Sequence, residues 1–223
     1  MLEGCVNSGT MSISITQVSN AKRWHRPRLL LAAAAITVGL AACQGQVQPV
    51  ELGAKLHNPL YPEFQLTDTE GQIFDFATES KGSVTLLFFG YTRCPDVCPV
   101  HMATIAGALK KLPHRVSSQV QVVFITTDPD RDTPERIREW LDHFDTDFIG
   151  LTGTEEEIAA AGRQVKIAPA VKEPQENGDY LMGHSARVIA FTADGAGRYL
   201  YPFGTRQADW AAEIPALVSW RPE

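Results

Sequence analysis

The stretch "SVTLLFFGYTRCPDVCPVHM", residues 83–102, decides how this chain is read. Its first half is a continuous apolar run, the mark of a strand buried on both faces. Its second half sets Cys94 and Cys98 four positions apart, each followed by a proline. From Pro95 the pattern turns helical, with Val100, Ile105, Ala108, Leu109 and Leu112 apolar and Pro113 closing the segment. A buried strand feeding a helix through a cysteine loop puts that loop at the carboxyl edge of an open α/β sheet, where such sheets place their sites.

Four is one residue too many for the dithiol spacing of a disulfide oxidoreductase, and two cysteines are too few for a structural zinc site. A helix N-terminus lowers a thiol pKa through its unpaired N–H groups and partial positive charge. On a helix, residues at i and i+4 share a face with Cβ atoms about 5–6 Å apart, whereas a relaxed disulfide wants about 3.8 Å. Two thiolates sharing one metal at about 2.3 Å need sulfurs only roughly 4 Å apart, so the spacing favours a shared metal over a resting disulfide. Soft thiolates in an electropositive pocket select copper(I) or zinc, with the remaining ligands deciding between them.

Histidine is the ligand to look for. His57, His114 and His143 read as solvated or helix-end residues, and His25 falls in a leader. His101 shares the expected helix face with both cysteines, and His184 precedes a buried strand in "YLMGHSARVIAF" (180–191). Spacing alone does not choose between them.

The other elements follow from pattern. "YPEFQLTDTEGQIFDF" (61–76) reads as a hairpin about Asp68–Gly71, and "VQVVFITTD" (120–128) as a second buried strand. Thr133-Pro134 opens an amphipathic helix and Thr154 another, "ARVIAFTADGAGRYLYPFG" (186–204) is a hairpin, and residues 208–220 form a final helix kinked or interrupted at Pro215. This order predicts an α/β sandwich with a parallel centre and an antiparallel edge.

The chain has 223 residues, 44% of them hydrophobic, enough for one core plus an appendage. The formal charge is -6 and the globular part has no Lys/Arg block, which excludes a nucleic-acid footprint. "KRWHRPR" (22–28), the apolar "LLLAAAAITVGLAA" (29–42) and Cys43 follow one another as charged region, hydrophobic region and lipid-acceptor cysteine of a bacterial lipoprotein leader, with Met11 an equally usable start. Residues 1–42 are thus expected to be a signal peptide, 43–58 a lipidated N-terminus and linker, and 59–223 the folded domain. Removing the leader takes away four basic residues and one acidic one, which moves the formal charge from -6 to -9. Cys94 and Cys98 are then the only free thiols of an exported domain, and an isolated pair there is a disulfide or a working site.

Three segments, "FFGYTRCPDVCP" (88–99), "VVFITTDPDRDTPE" (122–135) and "YLMGHSARVIAF" (180–191), closely resemble the three motifs of the Sco/SenC copper-binding family, in the same order. The resemblance implies a thioredoxin-like fold with an N-terminal β-hairpin and an inserted hairpin carrying the third copper ligand. It implies copper, as Cu(I) or Cu(II), held by Cys94, Cys98 and His184, with His101 kept only as an auxiliary ligand. It implies an aspartate near the copper loop at Asp128, where the carboxylate orients a ligand or simply caps the turn before Pro129. Asp96 reads as a turn and first-turn residue. The sequence departs from the family at Gly183, where an aspartate often stands, and at Arg93; the loss of charge at Gly183 leaves Cu(II) binding by His184 less secure than Cu(I) binding by the thiolates.

The family role so implied is delivery of copper to the CuA site of cytochrome c oxidase subunit II, or to a related copper enzyme, from a domain held by its lipid on a membrane and facing the periplasm or cell exterior, with copper supplied by a periplasmic donor. The main rival is a thiol-disulfide reductase, in which Cys94 attacks an oxidised CuA-site pair and Cys98 resolves the mixed disulfide. A thiol peroxidase using Thr92 and Arg93 fits less well because of the second cysteine. A redox or copper sensor is a fourth, non-enzymatic reading.

Overall fold

The computed structural model describes residues 52–222. The expected leader, Cys43 and most of the expected linker lie outside them. Among the described residues no helix is long and apolar enough to cross a membrane.

The chain enters through β1 (Ala54–Leu60), the hairpin β2 (Gln65–Asp68) and β3 (Ile73–Asp75), and a single turn α1 (Phe76–Glu79). Next come β4 (Val84–Gly90), α2 (Val97–Lys111), the short α3 (His114–Ser117) and β5 (Val120–Thr126). α4 (Pro134–Asp142), β6 (Ile149–Thr152) and α5 (Glu155–Gln164) follow. A ribbon of β7 (Val171–Pro174) and β8 (Tyr180–Gly183) precedes the hairpin β9 (Val188–Phe191) and β10 (Gly197–Tyr201), and α6 (Gln207–Ser219) closes the chain.

All seven residues of β4 are buried, because the strand lies mid-sheet with helices on both sides. Leu86 and Phe88 pack with Cys98, Met102 and Ile105 of α2 and with Trp210 and Ile214 of α6. Leu87 and Phe89 face the other way, onto Ile158 and Ala161 of α5 and onto Phe64 and Phe76. The sheet order is β1-β10-β9-β4-β5-β6-β2-β3, with β4, β5 and β6 mutually parallel. This is the expected thioredoxin-like arrangement. Antiparallel strands flank the parallel centre on both sides rather than on one, β9 on β4 and β2 on β6.

Three expectations change. The linker expected to run to residue 58 ends earlier, because β1 pairs with β10 from Ala54↔Leu200 to Leu60↔Gly197. Its pattern hid it: an edge strand with an irregular register and mostly exposed side chains carries no alternation to read. Pro215 does not interrupt α6, which runs through it; the Ser219 hydroxyl donates to the Pro215 carbonyl at 2.8 Å. Finally, α2 begins at Val97 behind Asp96, so Cys94 stands in the loop before the helix and not on its face.

Candidate metal centre

The chain runs from β4 to Cys94 through Tyr91 and Thr92, and Thr92 is pinned from the loop after β5. The Thr92 amide and hydroxyl both donate to the buried Asp132 carboxylate, at 2.9 and 2.6 Å, and Thr126 of β5 donates to it at 2.7 Å. Cys98 is the second residue of α2 and is fully buried, its sulfur packed against Gly90. A Cβ at Gly90 would lie 2.9 Å from that sulfur, so the strand must end in glycine for the helix to approach. Asp96 makes no side-chain cap on α2. The Cys94 sulfur takes that role, accepting from the Cys98 amide at 3.5 Å.

His184 arrives from the opposite side, directly after β8. Its Nε2 lies 3.7 Å from Cys98 Sγ, and its ring stands edge-on to Tyr91 with centroids 5.6 Å apart. Nδ1 donates to the Ser185 carbonyl at 3.0 Å, which leaves the Nε2 lone pair facing the sulfurs. The two sulfurs and one imidazole nitrogen all lie within 4.8 Å of one another. Two chain segments 86 residues apart thus converge on one point, and they are the residues the motifs implied.

The two thiols differ. Hydrogen bonding from the Cys98 thiol, with the amides of Cys98 and Asp96 adding to it, holds the half-buried Cys94 down to about 3 against its desolvation. Burial pushes Cys98 up, and the neighbouring Cys94 thiolate adds to that. Two sulfurs and an imidazole nitrogen are a soft donor set that fits copper, and three donors fall short of a closed tetrahedral zinc site.

A family model described as SCO1/SenC matches residues 53–219. The chain belongs to the SCO1/SenC family. It is 37% identical over 163 residues to a SCO2-like protein of Rickettsia felis, spanning 71% of this chain and 74% of the relative. The apo Sco1 of Thermus thermophilus superposes with a TM-score of 0.68 at 30% identity, covering 78% of this chain and 99% of that one. The copper-bound ScoI of Bradyrhizobium japonicum superposes at 0.61 with 34% identity, covering 75% and 100%.

The other residues singled out in the sequence lie outside the set of metal ligands. Asp128 is fully buried but contacts neither cysteine nor His184; it accepts from Tyr180 Oη at 2.8 Å and from Arg131 Nε. It also caps a turn, its carbonyl accepting from Asp132 at 2.9 Å. His101 is buried with Nε2 donating to the Ala186 carbonyl at 2.9 Å, and burial lowers its pKa, so it is a neutral core residue and not an auxiliary ligand. His57, His114 and His143 are exposed and outside the site. The Thr92 hydroxyl donates to Asp132 at 2.6 Å and accepts from Arg136 Nε at 3.4 Å, and Arg93 is exposed.

The sequence reading missed Asp132 and Glu173. Asp132 lies within the second motif, where a carboxylate beside Asp128 was the available signal. Glu173 has no local signal. Its carboxylate occupies the space a side chain at Gly183 would fill, in the mouth lined by Cys94, Leu181 and His184. A carboxylate therefore does stand next to Gly183, supplied from β7 and not from position 183.

Proposed function

We propose that this chain holds copper between Cys94, Cys98 and His184 and delivers it, outside the cytoplasm, to the CuA site of cytochrome c oxidase subunit II or a related copper enzyme. The observation that carries the reading is the convergence of two sulfurs and a lone-pair nitrogen within 4.8 Å. The copper-bound relative supports the choice of metal. Copper is cargo in this reading, taken from a periplasmic donor. Cys94 lines the open mouth, so a partner's thiolate or thioether reaches the site from that side while the buried Cys98 still holds the ion. Stepwise ligand exchange of this kind requires no catalytic group. A lipid on Cys43 would keep the domain at the membrane surface where such an oxidase resides.

An anaerobic Cu(I) competition titration of the full chain tests this, with Cys5 and Cys43 replaced by serine to remove other thiols. One tightly bound copper, lost in Cys94→Ala and in Cys98→Ala, is the expected result. Full binding by either variant overturns the shared-metal site.

The unequal thiols favour a second reading, dithiol exchange. The Cys94 thiolate attacks a partner disulfide and releases one partner thiolate; Cys98, giving up its proton, attacks the Cys94 sulfur and releases the second. The partner gains two electrons and the Cys94–Cys98 pair loses them. Reduction of a CuA-site disulfide by the copper-free protein, unaffected by His184→Ala, would favour exchange over delivery.

A further inference from the structure

The β7–β8 ribbon that ends at His184 is a separate two-stranded sheet, outside the eight-stranded ladder. β7 is exposed throughout, and Met182 is the single buried residue of β8. The ribbon thus has neither main-sheet hydrogen bonds nor a large apolar face to fix it, and His184 itself meets the core through the rings of Phe88 and Tyr91. A polar cluster ties down the other end of β8. Tyr180 Oη donates to Asp128 at 2.8 Å, and the Arg131 guanidinium lies 3.5 Å from the centre of the Tyr180 ring. The same guanidinium donates to Asp128, to the Asp179 carboxylate at 2.7 Å and to the Tyr180 carbonyl at 3.0 Å. The Arg131 side chain is 12% exposed and Asp128 is fully buried, so that ion pair is shielded from water, whereas Asp179 is 52% exposed. On β7, Lys172 binds Asp130 and Glu155 at 2.7 and 2.8 Å.

We infer that Arg131 and Tyr180, stacked on Asp128, are positioning residues for His184: they clamp the ribbon to the end of β5 and thereby hold Nε2 against the sulfurs. Four residues of extended strand carry the effect over about 13 Å. The sulfurs are placed by other side-chain contacts, those of Asp132 and α2. Loss of the clamp thus removes the nitrogen ligand and spares the thiolates. The inference rests on the copper reading for its metal arm, and a metal-free arm separates the two.

The test uses the full chain with Cys5 and Cys43 replaced by serine, and compares Tyr180→Phe, which loses only a hydroxyl, with Arg131→Leu. In the Cu(II) form, both variants should weaken binding about 10–100-fold and lose nitrogen coupling in the EPR spectrum, with no further loss when His184→Ala is added. In the copper-free form, NMR of the His184 ring should change from one Nδ1–H tautomer to exchange-broadened signals. Should Arg131→Leu fail to fold, Tyr180→Phe decides. Unchanged His184 signals in a folded Tyr180→Phe protein overturn the clamp, as does an equal loss of Cu(II) affinity with and without His184. A parent protein that shows clamp-dependent ring signals yet binds no copper overturns the copper reading instead.

Discussion

The Cys98 amide lies 3.5 Å from Cys94 Sγ, so the first cysteine caps the helix that carries the second. The sulfurs are unequal because Cys94 accepts from the Cys98 thiol, with the amides of the helix end adding to that, while Cys98 is sealed inside the core.

The first prediction follows from that asymmetry. With Cys94 held to about 3, its alkylation rate should stay near plateau from pH 8 to pH 5, whereas an ordinary thiol would slow about a thousandfold. Cys98 should not react in the folded protein. Because folding lowers the Cys94 pKa, its contribution to stability is complete above the ordinary thiol pKa and is lost as pH falls toward about 3. Rates measured by mass spectrometry on each cysteine check this, and an ordinary titration near pH 8–9 would refute the cap.

Asp132→Ala removes three acceptor contacts in a buried position and strands the donors of Thr92 and Thr126. A loss of about 3 kcal/mol is expected from thermal or denaturant unfolding, with a lower copper affinity because the Cys94 loop comes free. Unchanged stability would show that the loop is held by something else.

His101→Phe should leave one copper bound per chain, while costing about 1–2 kcal/mol because the Ala186 carbonyl loses its donor. Copper loss as severe as in Cys94→Ala would restore His101 as a ligand.

Cys43→Ala should move the protein from the membrane fraction to the soluble fraction after cell breakage, with the copper titration of the domain unchanged. Continued sedimentation with membranes would refute the lipid anchor.

Much of the architecture was legible before the structure. The unbroken apolar run of β4 announced a strand buried on both faces, and Thr133 and Thr154 announced helix starts at which both side chains do accept from the backbone amide three residues on. β1 was illegible, since an exposed edge strand needs its partner β10 to define it. At the site, local spacing identified the cysteine pair but set it wrongly on one helical face. The first turn of α2 starts at Val97, three residues after Cys94, and the loop before it is a turn closed by the Cys94 amide on the Tyr91 carbonyl at 3.2 Å and anchored by Thr92 on Asp132.

The sequence by itself determined the elements whose cause is local: the periodicities, the caps, the cysteine loop at the carboxyl end of a buried strand, and the motif set that named Cys94, Cys98 and His184. Spacing alone left His101 and His184 open, and only the tertiary structure shows why His184, the one the motifs named, faces the sulfurs. His101 and His184 bond successive carbonyls of one turn, Ala186 and Ser185, but burial turns the first into the core and the ribbon turns the second toward the cysteines. Likewise only packing revealed that Asp128 holds Tyr180 and Arg131 and touches no ligand, and that Glu173 fills the place left by Gly183. Contacts between segments far apart in sequence depend on how the sheet and ribbon dock, and no local pattern encodes that.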